Sequence, residues 1–190
     1  MYADIVFPGG NEEKFLEIAR RLGYKSIVFA YNGIEKMPKN LPSLIKKSKI
    51  KITTAIVAEE KQIQKAKKYA SLVLVRSTGN DRWVLEKSKV DILFGLETAQ
   101  KKDFMHHRAS GLNQVLCKIA AKKGKTIGFD FSAVLNSKGM LRAQIIGRMM
   151  QNARFCRKYK VKVLLVSFAR KPYEMRASKD IEAFGNVVGL

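Results

Sequence analysis

Short apolar runs alternate along this chain with stretches in which apolar residues recur at helical spacing. The runs YADIVF (2–7), SIVFAY (26–31), IKITTAIV (50–57), SLVLV (71–75), VDILFG (90–95), TIGFDFS (126–132) and VKVLLVSFA (161–169) read as seven strands. Most are unbroken and rich in Val and Ile, the pattern of strands covered on both faces of a parallel sheet. Between them, helices are predicted over residues 11–23, 41–48, 59–70, 81–88, 110–123, 139–160 and 178–188. Seven such βα units form either a doubly wound open sheet or a closed barrel. A full eight-fold barrel takes about 250 residues, so a chain of 190 implies short loops or an incomplete barrel. No repeat, linker or low-complexity tract divides it, and residues 1–190 are expected to form one domain.

Two helices can be read in detail. From Ser110 onward, Leu112, Val115, Leu116, Ile119 and Ala120 predict one apolar stripe, stopped by Gly124. Ser110 is the expected helix cap, with Asn113 standing where a capping box would place Glu or Gln. In 139–160, Ile145, Ile146, Met149, Met150, Ala153 and Cys156 group on one arc, so the methionines are expected in the core. Arg142 falls near the middle of that arc but in the first turn. Because helical side chains lean toward the N-terminus, it is expected to reach past the helix end to the strand mouths.

Charge sharpens the picture. Lys and Arg number 37 against 16 Asp and Glu, a formal +21. Heat-adapted proteins tend to pair Lys with Glu, and pairing alone would not leave this imbalance. A polyanion is the natural complement, and basic residues spread through folded-looking sequence predict a folded nucleic-acid-binding surface rather than a disordered arm. No apolar run reaches the roughly 18 residues that span a bilayer, and no amphipathic helix with exposed Trp or Phe argues for a membrane surface. MYADIVFPGG lacks the features of a secretory signal, so a cytoplasmic location is expected. Cys117 and Cys156, far apart in sequence, fit neither a metal pair nor a disulfide framework and are expected to pack as small hydrophobes.

In any parallel βα fold the loops after the strands gather on one face, where ligands bind. That rule puts Arg76 and Arg82 after the fourth strand, and Lys101, Lys102, His106, His107 and Arg108 after the fifth. Lys138 and Arg142 follow the sixth; Arg170, Lys171, Arg176 and Lys179 follow the seventh. Lys46, Lys47, Lys65, Lys67, Lys68, Lys122 and Lys123 are expected on solvated helix surfaces. The stretch MHHRASGLNQ (105–114) holds both histidines. A helix starting at Ser110 would offer free N–H donors, and Arg108 beside it a bidentate fork, together a cradle for phosphate. The plainer alternative is that His107 bonds locally and Arg108 pairs with a neighbouring acid. Adjacent His106 and His107 lack the i, i+4 spacing of a shared ion, and neither G-x-x-x-x-G-K-[ST] nor G-x-S-x-G occurs.

The run HHRASGLNQVLCKIAAKKGKTIGFDFSAVL, together with RAQIIGRMMQNARFCRKYKVKVLLVSFA, resembles the family of the archaeal and eukaryotic thirty-kilodalton ribonuclease P subunit, protein component 3 in archaea. The resemblance covers most of the chain and is strongest from about Arg76 to Lys171. It implies a distorted or incomplete TIM-like barrel of about seven parallel strands, related to PHP metal-dependent phosphoesterases. Those enzymes are implied to carry a His-x-His pair after the first strand. Here that stretch is YADIVFPGG and no histidine precedes His106, so neither a metal site nor a catalytic residue is expected in this chain. Glu97 and Asp130 are expected near the strand mouths, where an ancillary ion stays an open matter.

The function so implied is that of an RNA-binding protein subunit of ribonuclease P. It would support the catalytic RNA in endonucleolytic removal of the 5′ leader from precursor tRNA. The residues expected to contact RNA are Arg76, Arg82, Lys101, Lys102, His107, Arg108, Asn113, Lys138, Arg142, Arg170, Lys171, Arg176 and Lys179, the cations neutralising packed phosphates. The resemblance further implies Mg²⁺ held by the RNA and no cofactor on this chain. Its implied partners are ribonuclease P RNA, precursor tRNA through the holoenzyme, and other protein subunits, component 2 above all. Two other readings of the residues remain: a stand-alone PHP-like phosphoesterase, and a ribosome-associated RNA binder.

Overall fold

Seven parallel strands follow one another around a barrel in chain order: β1 (Asp4–Val6), β2 (Ser26–Asn32), β3 (Lys51–Val57), β4 (Leu72–Arg76), β5 (Ile92–Phe94), β6 (Thr126–Asp130) and β7 (Lys162–Val166). This is a computed structural model that describes residues 3–190; Tyr2, the first residue of the expected first strand, lies outside them. Helices α1 (Glu12–Arg21), α2 (Leu41–Lys47), α3 (Ile63–Tyr69), α4 (Asp81–Lys87), α5 (Gln114–Lys123), α6 (Phe131–Leu135), α7 (Gly139–Lys158) and α8 (Ser178–Val188) complete the chain. Every neighbouring pair from β1 to β7 shares a ladder.

Among the described residues, no ladder joins β7 back to β1. Closure rests on one parallel bridge between Val6 and Ala169, with Phe7 N donating to Ala169 O at 2.8 Å. Below it, the buried Asp4 carboxylate accepts from Ser167 N (2.8 Å) and Ser167 Oγ (2.6 Å). The barrel is therefore nearly closed, with a side chain standing in for ladder bonds at the seam.

Alternate strand residues explain the unbroken apolar runs. Ile5, Val28, Ala30, Ala55, Leu74, Ile92, Phe94, Val166 and Phe168 form one buried cluster in the barrel interior. Their neighbours, such as Val73 and Val75, pack outward against helices. At the upper end Phe168 stacks on Phe94 at 4.7 Å and on Phe7 at 5.8 Å. Gly128 makes room for them: a Cβ there would lie 3.0 Å from Ile92 and Phe94 and 3.3 Å from Phe168. Phe168 itself sits at φ 47, an unfavourable left-handed backbone for an aromatic residue, held by this packing.

Three expectations need correction. The fifth helix begins at Gln114, not Ser110, and its buried residues are Leu116, Cys117 and Ala120; Val115 is half exposed and Leu112 lies ahead of the helix. Residues 131 and 132, read as strand, open α6, because the Asp130 carboxylate accepts from Ala133 N and Ser132 Oγ and turns the chain. Lys162 and Val163 of β7 are exposed, since the seam leaves that edge without a partner strand. The two cysteines, distant in sequence, meet in the core between α5 and α7. There a thiol–thiol hydrogen bond draws Cys117 down, and the same bond together with burial pushes Cys156 up.

Candidate nucleic-acid interface

The chain's connectivity brings the loops after β4 to β7 to one rim. Its centre is the segment between β5 and α5, and α7 holds that segment in place. Arg148, fully buried in α7, donates from Nε to Asp103 Oδ1 (2.7 Å) and from Nη1 to Glu97 O (3.0 Å) and Gln100 O (2.7 Å). One turn on, Asn152 Nδ2 donates to Ser110 O at 2.7 Å. Although its burial works the other way, hydrogen bonds from Ala109 N, Arg148 and Gln144 hold Asp103 below the usual carboxylate range. Lys101, Lys102, His106, His107 and Arg108 are left exposed along the segment. Phe104, also exposed, stacks on His107 at 4.5 Å.

The cradle expected at Ser110 is not assembled. The cap of α5 is Asn113, whose Oδ1 accepts from Leu116 N at 2.9 Å, while Ser110 is buried ahead of the helix. Arg108 turns instead toward α7, its Nη1 donating to Gly147 O at 3.4 Å. Gly147 permits this approach: a Cβ there would lie 2.8 Å from Arg108 Nε.

Other cations divide between free and engaged. Lys138 caps α7 by position and is exposed; Arg170, Lys171 and Lys179 are exposed after β7, with Glu174 accepting from the backbone N–H of both Arg170 and Lys171. Arg82 pairs with Glu86 along α4 at 3.5 Å. Arg142 reaches back as its lean predicts, but to the end of α6, donating from Nε to Val134 O (3.1 Å) and Ser137 O (2.7 Å). Arg176 Nη1 donates to Tyr173 O (2.9 Å) and Met175 O (2.8 Å), which shapes the loop after β7.

Arg76 belongs to the mouth itself. Its guanidinium lies 4.9 Å from the Phe94 ring centroid and 3.8 Å from Asp130 Oδ2. Glu97 is wholly buried beside it, its Oε1 accepting from Asp130 N at 3.1 Å. Burial pushes Glu97 up to about 7, with the Asp130 charge acting in the same sense; burial also raises Asp130, against the pull of Ser132 and Arg76. Glu97 and Asp130 thus do reach the strand mouths, where Phe7, Phe94, Phe168 and Arg76 occupy the space above the core. Among the described residues, no three His, Cys, Asp or Glu side chains converge as a metal-holding group. Nor is any helix of the structure long and apolar enough to cross a membrane.

Sequence reasoning missed Arg148, Asn152 and Asp103, which position the rim without facing a ligand. A signal existed: Arg148 and Asn152 are polar residues four apart, bordering the apolar arc of α7.

Comparison with known proteins bears on this geometry. A ribonuclease P protein component 3 from Methanosarcina mazei is 32% identical over 187 residues, 94% of this chain and 74% of that protein. Its counterpart from Methanosarcina barkeri is 30% identical over 182 residues, covering 91% and 72% respectively. A chain in the cryo-EM structure of archaeal ribonuclease P with mature tRNA shares the fold with a TM-score of 0.81 at 21% identity, over 97% of this chain and 82% of that one. Residues 3–190 match the family described as RNase P subunit p30. A seven-stranded barrel whose mouth is packed with phenylalanine and whose rim carries cations is the form this sequence signature takes, and the chain belongs to the RNase P subunit p30 family.

Proposed function

We infer that this chain, as a ribonuclease P protein subunit, binds the enzyme's RNA through the rim after β4 to β7 and leaves the chemistry to that RNA. The observation that carries this is the exposed cationic set on one rim: Lys101, Lys102, Arg108, Lys138, Arg170, Lys171 and Lys179. Two of its nearby carboxylates are engaged, Asp103 by Arg148 and Glu174 by backbone N–H groups. Such a surface neutralises phosphates brought close together and lowers the cost of holding a folded RNA. A-form helices hide their major-groove edges, so recognition rests on shape and backbone. Mg²⁺ belongs to the RNA in this reading, precursor tRNA is met through the holoenzyme, and component 2 is the neighbouring protein subunit. The site of action is cytoplasmic.

The test is binding to ribonuclease P RNA across a salt series. Wild type shows a steep fall of affinity with salt. Arg170→Ala combined with Lys171→Ala, both exposed, weakens binding and flattens the salt slope by about 0.7 to 0.9 for each phosphate no longer neutralised. Thermal unfolding stays close to wild type. Affinity that is flat between low and moderate salt sinks the reading. Turnover of phosphodiesters by the protein alone, with Mn²⁺, Zn²⁺ or Mg²⁺, would instead favour the phosphoesterase alternative.

A further inference from the structure

The rim accounts for fewer than half of the cations, and the remainder are not random. At four of the six corners where a helix ends and the next strand begins, the chain carries lysine on both sides of a turn: Lys47-Ser48-Lys49, Lys87-Ser88-Lys89, Lys123-Gly124-Lys125 and Lys158-Tyr159-Lys160. Lys25 precedes β2, and Lys51 and Lys162 open β3 and β7. Because the strands are parallel and neighbours in chain order, these corners lie side by side around the pole opposite the rim. Three carboxylates on the flanking helices and strands are already engaged. Asp91 holds Lys67 Nζ at 2.6 Å and Val73 N at 2.8 Å; Glu86 faces Arg82, and Glu17 faces Arg21.

A lysine in the last turn of a helix is explained by the helix dipole alone. The second lysine of each pair stands beyond the helix end, where that effect has faded. Lys125 has a structural role, its Nζ donating to Ser88 O (3.1 Å) and Val90 O (2.8 Å). Lys49, Lys89 and Lys160 are exposed. Lys160 also has φ 53, the left-handed position after a helix that glycine fills without strain. A lysine there works against local backbone preference.

We propose that this pole is a second RNA-binding surface, so that one molecule bridges two segments of RNA. The inference goes beyond the rim reading and draws on it only for the choice of RNA as the polyanion. Lysine suits this use as a mobile point charge that follows a phosphate backbone without demanding one geometry. Strands of up to seven residues separate pole from rim by on the order of 20 Å. That exceeds the Debye length of about 8 Å at physiological salt, so the two surfaces act as independent electrostatic sites.

The experiment compares a pole variant, Lys49→Gln with Lys89→Gln and Lys160→Gly, with the rim variant Arg170→Ala, Lys171→Ala. Binding to ribonuclease P RNA is measured against salt, and bridging is read as energy transfer between two differently labelled short RNA duplexes. Wild type brings the duplexes together. Each variant binds RNA with a shallower salt slope and loses bridging, and the combined variant loses both shares of the slope. Lys160→Gly alone raises the unfolding temperature while weakening RNA binding, which a purely structural role for that lysine would not produce. A pole variant with wild-type slope and wild-type bridging overturns the proposal. So does one that keeps RNA affinity but no longer assembles with another protein subunit, or one defective only toward anionic vesicles. A salt-insensitive wild type would instead remove the rim reading.

Discussion

Arg148 shows how a single residue sets the working surface from below. A guanidinium that is 1% exposed carries a desolvation cost that one carboxylate does not fully offset. The two loop carbonyls it holds are therefore part of its stability, and its Nη2 still has no partner among the described residues. Removing it takes one of the donors of Asp103, leaves Glu97 O and Gln100 O without this donor and opens a cavity beneath the rim. Arg148→Ala is expected to cost about 3 kcal/mol in denaturant unfolding, in the range for breaking a buried pair, and to weaken RNA binding by loosening the segment carrying Lys101 to Arg108. A loss below about 1 kcal/mol, with RNA affinity intact, would show the clamp to be dispensable. The sequence made Arg148 hard to place because periodicity sorts residues by polarity, and a buried arginine satisfied by carbonyls from another loop carries the same letter as a solvated one.

At the scale of elements, the legible features were those determined within the element. Unbroken Val- and Ile-rich runs located all seven strands, and the apolar arc located α7, because both patterns follow from burial on a fixed period. The start of α5 was less legible. Ser110 and Asn113 are both good caps, and the choice between them is tertiary: Asn152 and the buried packing of Ala109 and Ser110 draw the earlier residue under α7 before the helix can begin. The short α6 was hidden because Asp130 ends a strand and caps a helix at once. The two candidate caps separate cleanly. Asn113→Ala should cost about 1 kcal/mol through loss of the bond to Leu116 N, read as a lower urea midpoint. Ser110→Ala, which removes an Oγ that has no partner among the described residues, should change stability little. The reverse ranking would return the helix start to Ser110.

For the whole molecule, the barrel's seam and its mouth are both held by buried acids. Asp4 bridges the seam between β1 and β7, and Glu97 anchors the mouth through Asp130 N. Neither role was readable from sequence, since a strand-borne Asp and a loop Glu acquire it only when the seventh strand comes round to the first. Burial raises Asp4 from 3.8 to about 6, against the hydrogen bonds from Ser167 and Ile5, and raises Glu97 from 4.5 to about 7. The folded protein thus binds more protons than the unfolded chain across this interval, and stability must fall as pH rises through it. The contribution is complete below about pH 4, where both states are protonated, and is lost as the pH climbs to about 6 for Asp4 and about 7 for Glu97. Rises of this size correspond to about 3 kcal/mol for each acid. Urea unfolding from mildly acidic to slightly alkaline pH should show wild-type stability declining. Asp4→Asn, which imitates the protonated acid toward Ser167, should remove the lower part of that decline, and Glu97→Gln the upper part. A wild-type curve that rises over this interval would mean the seam is held by an ionised carboxylate, and closure would then rest on charge rather than on a shared proton.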